Sequence, residues 1–181
     1  MKKMLKALSL MMAAMLLLCS AAWAETDMEY VKNKGTLVVG ITDFAPMDYK
    51  DENGEWIGFD ADMAKAFAAY LGVEVELVEI DWDNKILELD GKTIDCVWNG
   101  MTLTDEVISA METGNAYANN AQVVVLPVAK ANDYADVAAL SGLTFAVEAA
   151  SAGEKEITAL GYSMTAVHSQ ADTLLEVKAG T

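Results

Sequence analysis

The chain has 181 residues, 54% of them apolar and 22% charged, with only 2 prolines, a globular composition long enough for one domain or a domain and a half. Its 28 acids face 12 lysines and no arginine, and the formal net charge of −16 excludes action on nucleic acid or an anionic lipid surface, because such a chain repels both. The same surplus of acids keeps the chain soluble and electrostatically favours cationic solutes.

Residues 1–24, MKKMLKALSLMMAAMLLLCSAAWA, carry lysines at 2, 3 and 6, then an apolar run from Ala7 to Leu18, and end Ala22-Trp23-Ala24. This is the layout of a cleaved secretory signal, and its apolar run falls short of the ~20 residues a membrane span needs. Lipoprotein processing before Cys19 is the alternative, disfavoured by the bulky Leu18 in front of it. The chain is therefore expected in the periplasm or at the extracellular face of the envelope. Removal of the signal leaves 9 lysines against 28 acids, a formal charge of about −19. Cys96 is then the sole cysteine, so no internal disulfide is expected, and its apolar surroundings suit a small core residue. CxxC and HExxH patterns are absent and His168 has no second histidine, so neither a metal nor any cofactor is expected.

GTLVVGI (35–41) predicts a buried strand. DFAPMDYKDENGEWIGFD predicts a loop and a hairpin turning at Asn53-Gly54. Asp60 is expected to cap a helix, with Met63, Phe67, Tyr70 and Leu71 on its packed face and Gly72 as its stop. VEVELVEI predicts a strand with one wetter face, DWDNKILELDGK a short helix, and TIDCVW the next buried strand. This alternation is that of a parallel sheet covered by helices. A helix over 104–112 and a strand AQVVVLP, ended by Pro127, complete the first unit. A second unit follows: DYADVAALSG as helix, LTFAV as strand, SAGEKEITALG as helix, SMTAV as strand and SQADTLLEVKAG as helix. The expected organisation is a signal at 1–24, a first lobe at 25–126 and a partial second lobe at 127–181. About 55 residues are few for a separate core, and the chain stops where a parallel sheet would take its next strand, which points to a piece of a longer two-lobed protein.

Ligands of open parallel sheets bind beyond the carboxyl ends of the strands. Those ends offer Asp43 and Phe44 after the first strand, and Trp82 between Asp81 and Asp83 after the second. The third offers Asn99, the open backbone of Gly100, and the hydroxyls of Thr102 and Thr104. The second unit adds Ser151 with the amides of Ala152 and Gly153 at a helix start. Thr104 and Ser151 are equally N-caps that need no ligand, Phe44 and Trp82 suit a core as well as a pocket, and Trp98 and Tyr117 read as packing.

The stretches GTLVVGITDFAPMDY, NGEWIGFDADMAKAFAAYLG and GKTIDCVWNGMTLT resemble the polar amino acid family of solute-binding proteins that feed ABC importers, with similarity running from Gly35 to the last residue. The resemblance implies an α/β, two-lobe periplasmic-binding-protein fold, its first lobe nearly complete and its second incomplete. It places the aromatic sandwich on Phe44 and Trp82, the polar positions on Asn99, Gly100 and Thr102, and the second-lobe loop on Ser151, Ala152 and Gly153. Asp43 lies near the family's first-loop acid, in a loop one residue shorter. The family's carboxylate-pairing arginine falls on Val107, and its amine-holding aspartate would lie past Thr181. The function implied is a non-enzymatic, monomeric receptor that binds an amino acid or related amine between two lobes and delivers it to a membrane permease. An exported enzyme of the cyclic-acid dehydratase type, with Glu148 as its one candidate acid, and a ligand-sensing receptor domain are the alternatives.

Overall fold

The computed structural model describes residues 25–181; the expected signal segment lies outside the described residues. Helix α1 (Asp27–Lys34) has no counterpart in the sequence reading, although Thr26 and Glu29 form a reciprocal capping box at its start. It leads through Gly35, at φ 79°, into β1 (Thr36–Ile41). β1 is the centre of a three-stranded parallel sheet in the order β4-β1-β5, with β4 at Glu74–Glu79 and β5 at Cys96–Val97. In β4 the exposed Glu74, Glu76 and Glu79 alternate with half-buried Val75 and Leu77, the wetter face expected from the sequence. Asp95 fastens the short β5 to its neighbour: its carboxylate accepts from the Val38 amide at 2.7 Å and pairs with Lys34 at 2.7 Å. The hairpin of β2 (Tyr49–Lys50) and β3 (Trp56–Ile57) closes around Asn53-Gly54 as expected.

Helix α2 (Phe59–Leu71) departs from the expectation in two ways. Its N-cap is Gly58, and Asp60 lies inside the first turn, fully buried. Its packed face is Asp60, Ala61, Ala64 and Ala68, with Phe67 alongside, whereas Met63 is exposed and Tyr70 is 84% exposed. Tertiary anchors set this rotation. The amide of Asp60 donates to the Met47 carbonyl at 2.9 Å and the Tyr117 hydroxyl donates to the Asp60 carboxylate at 2.8 Å. Alanines then let the helix lie close on Leu37, Val39 and Ile41 of β1.

A 3-10 turn (Trp82–Asn84) leads into α3 (Lys85–Asp90), and α4 is shorter than expected, Asp105–Ala110. The expected strand at AQVVVLP does not form: residues 121–127 have no ladder partner, and Val123 and Val125 are exposed. Valine's preference for extended backbone needs pairing with a strand edge to become a sheet, and this segment joins none of the described sheets. The expected helix in DYADVAALSG is reduced to a 3-10 turn (Val137–Leu140) capped by Asp136, after another at Val128–Asp133. The second unit then follows its pattern: β6 (Thr144–Glu148) pairs in parallel with β7 (Ser163–Val167), with α5 (Ala152–Leu160) between them and α6 (Gln170–Ala179) after. Its core is a small cluster around Leu140, Phe145 and Ile157.

Candidate functional site

The ends of β1, β5 and β6 meet where the two units touch. Asn99, just past β5, is buried and ties the first two ends together: its carbonyl accepts from the Thr42 amide at 3.0 Å and its amide donates to the Thr42 hydroxyl at 2.6 Å. Its hydrogen-bonding capacity thus serves the scaffold. Gly100 follows at φ 57°, a conformation that disfavours a side chain, and a Cβ there would stand 3.2 Å from the Phe44 ring. Phe44 is fixed in turn by mutual backbone bonds with Asp48.

Two cavities divide the expected site residues. The smaller, about 340 Å³, lies between the units and is lined by Trp82, Thr102, Thr104, Ser151 and Ala152, with Val107 buried in its wall. The larger, about 1160 Å³, runs beside β5 within the first unit, and Phe44, Asn99 and Gly100 lie on it. Thr102 borders both. Gly153 lines neither; a Cβ on it would stand 3.2 Å from Val147 and from the Gln122 amide oxygen. Asp43 also lines neither, and burial, aided by Glu79, pushes its carboxyl above the usual aspartate range. Asp81 is engaged across the unit boundary, 2.8 Å from Nδ1 of His168.

The structure also reveals groups that the sequence reading passed over. Lys85, only 7% exposed, stands over the Trp82 ring, 4.7 Å from its centroid, and donates to the Trp82 carbonyl at 2.9 Å and to the Ala150 carbonyl of the second unit at 3.3 Å. Desolvation lowers the pKa of its ammonium, against the opposing pull of Glu106, Glu148 and Asp83. The legible signal was spacing: three residues after Trp82, Lys85 shares its side of the helical turn. Ala150 holds its carbonyl there in the left-handed region, at φ 53°. Tyr117, read as packing, is a hydrogen-bond donor to buried Asp60 and stacks on Phe59. Asp48 is fully buried near Asp60, and desolvation with that like charge pushes its carboxyl up to about 7. Glu148 is buried against Gln170, which donates to it at 3.0 Å, and desolvation raises its carboxyl. Cys96 is a half-buried free thiol whose pKa burial pushes up to about 12, so it is inert at neutral pH. Among the described residues no group of three or more metal-ligating side chains is assembled.

Residues 37–176 match the sequence profile of the bacterial extracellular solute-binding proteins, family 3. The chain belongs to that family. Arginine-binding extracellular protein ArtP of Bacillus subtilis (strain 168) is 31% identical over 123 residues, 67% of this chain and 48% of the relative. L-cystine-binding protein TcyJ of Escherichia coli (strain K12) is 39% identical over 77 residues, 42% of this chain and 29% of the relative. The crystal structure of the ancestral amino acid-binding protein AncCDT-1, described as a precursor of cyclohexadienyl dehydratase, superposes with a TM-score of 0.81 at 29% identity, covering 86% of this chain and 70% of that one. The chain thus spans half or less of the length of these two curated relatives. As a family 3 member it is built on the α/β fold of two-lobe amino-acid-binding proteins. No described helix is long and apolar enough to cross a membrane.

Proposed function

We propose that this family member is the extracytoplasmic solute receptor of an ABC importer, holding a small amino acid or amine between its two α/β units and presenting it to a membrane permease. The observation that carries this reading is the cleft of about 340 Å³ to which both units contribute, with an aromatic wall from Trp82 and hydroxyls from Thr102, Thr104 and Ser151. That volume is at the small end of the roughly 300–1,000 Å³ range of ligand sites, which suits a solute of amino-acid size. Relatives named for binding arginine and cystine support the solute class.

A thermal-shift screen against amino acids, amines and small organic acids tests it. A solute at ~100 times its dissociation constant adds about 2.7 kcal/mol and raises the melting temperature by a few degrees. Trp82→Ala is expected to remove that shift while the protein stays folded. A screen in which no amino acid or amine shifts the melting temperature removes the reading.

One observation favours a second reading, an exported enzyme on the same fold. Glu148 is a buried acid of raised pKa with one carboxylate oxygen lacking a partner, the condition of a general acid. It faces Gln170 and is not among the residues of the cleft wall. Turnover of a cyclohexadienyl acid, abolished by Glu148→Gln, would decide for the enzyme.

A further inference from the structure

Three hydroxyls of the inter-unit cleft share one property: each accepts a hydrogen bond from the protein. Oγ of Ser151 accepts from the Glu154 amide at 3.2 Å, Oγ1 of Thr104 from the Val107 amide at 3.3 Å, and Oγ1 of Thr102 from the Asn120 side chain at 2.7 Å. A hydroxyl that accepts from the protein retains its own proton to donate. Lys85 adds an ammonium with three donors, and the carbonyls of Trp82 and Ala150 take two of them. None of the ion pairs among the described residues includes Lys85. Two acids also line the cleft: Glu106 is exposed, and Glu154 accepts from the Ala150 amide at 2.6 Å. Val107 contributes only apolar surface.

A buried ammonium without a counter-ion is costly unless something anionic completes it. Glu106, Glu148 and Asp83 pull on the Lys85 ammonium from a distance, but none forms an ion pair with it, and the hydroxyls of its cleft can also donate. Its two carbonyl partners lie on opposite walls, Trp82 in the first unit and Ala150 in the second. The position of its third donor is therefore defined by both units together.

We propose that Lys85 is the residue that grips the carboxylate of a carboxylate-bearing solute, with Thr104 and Ser151 as its hydroxyl partners. The inference rests on the solute-receptor reading above and narrows it to amino acids recognised through their carboxylate. Lys85 is thereby a specificity-determining residue: it separates an acid from the amide or amine of the same side chain.

The test is calorimetric titration of the purified protein with L-arginine, L-lysine, L-histidine, L-glutamine and L-cystine, then with the α-amide of the tightest of these. The wild-type protein is expected to prefer the acid by about 10–100-fold, the worth of one hydrogen bond to a charged group. Lys85→Gln, and Lys85→Met as the variant that buries no polar group, are expected to reduce that preference to within about 3-fold. Lys178→Gln, at an exposed lysine that lines neither cavity, is expected to leave it unchanged. Equal weakening of acid and amide in both Lys85 variants would show a bolt between the units and overturn the proposal. A wild-type protein that binds acid and amide equally would overturn the carboxylate grip while leaving the receptor reading standing. Absence of binding to all five amino acids would remove this inference, and the screen with amines would then show whether the receptor reading survives.

Discussion

The two α/β units share a pattern of strand, helix and strand but differ in how completely they are enclosed. In the first, Val39, Ile41, Ala61 and Ala64 are fully buried, and a second set of contacts, Asn99 to Thr42, Asp95 to Val38 and Tyr117 to Asp60, cross-links the segments. In the second, the best-buried apolar residues keep 7–9% of their surface, and Leu174 and Leu175 of α6 are more than half exposed. The first unit is held by its own core, whereas the second is a two-stranded layer that buries little and reaches the cleft through Ala150, Ser151 and the first turns of α5. The cleft thus joins a more enclosed unit, carrying Trp82 and Lys85, to a more open one carrying Ser151.

The largest effect that would break this contrast comes from matched truncations. Ile41→Ala is expected to cost about 2–5 kcal/mol in urea denaturation, with Ile157→Ala at the bottom of that range, because its surroundings are open enough to relax. Equal costs would mean that the second unit is as tightly packed as the first.

A pH series sharpens the contrast next. Asp48 is raised from 3.8 to about 7 in the fold, so the folded state binds its proton more tightly than the unfolded state does. Its contribution to stability is complete below about pH 4 and is lost as the pH rises through about 7, for a total of up to about 4 kcal/mol. Asp48→Asn is expected to flatten that slope in denaturation curves taken from pH 4 to 8. A slope unchanged by the substitution would relocate the titrating group to another residue.

The smallest effect concerns the caps. Ser151→Ala removes the N-cap of the nine-residue α5 and is expected to cost about 1 kcal/mol, with Thr104→Ala on the six-residue α4 costing less. Hydrogen exchange would locate the Ser151→Ala loss in the second unit alone. A loss spread into β1 would show the two units unfolding as one.

Much of the scaffold was legible because hydrophobic period and punctuation agree along the chain. Three of the strands expected in the first unit form its sheet, and glycines 72 and 161 stop their helices at left-handed φ, where they cost little. The failures share a cause. The valines at 123–125 carry strand propensity but no neighbour to pair with, and the Met63–Tyr70 face of α2 is more apolar than the alanine face that is buried. Local preference cannot say which edge or which stripe a neighbour will meet. At the site the same division holds: Trp82, Thr102, Thr104, Ser151 and Ala152 come together on one cleft, whereas Phe44, Asn99 and Gly100 are used beside or beneath it, and Asp43 and Gly153 lie off both cavities.

From the sequence alone came the α/β class, the order of most elements, the family resemblance and the set of loops from which a site is made, because these depend on periods of two and 3.6 and on residues read singly. Only the tertiary structure decided that Asn99 spends its amide on Thr42 and that Tyr117 secures Asp60. It alone drew Lys85, unremarkable in DWDNKILELD, into a buried position between two walls. Such roles are set by what approaches from segments tens of residues away, and a side chain's partners, unlike its period, are not written beside it.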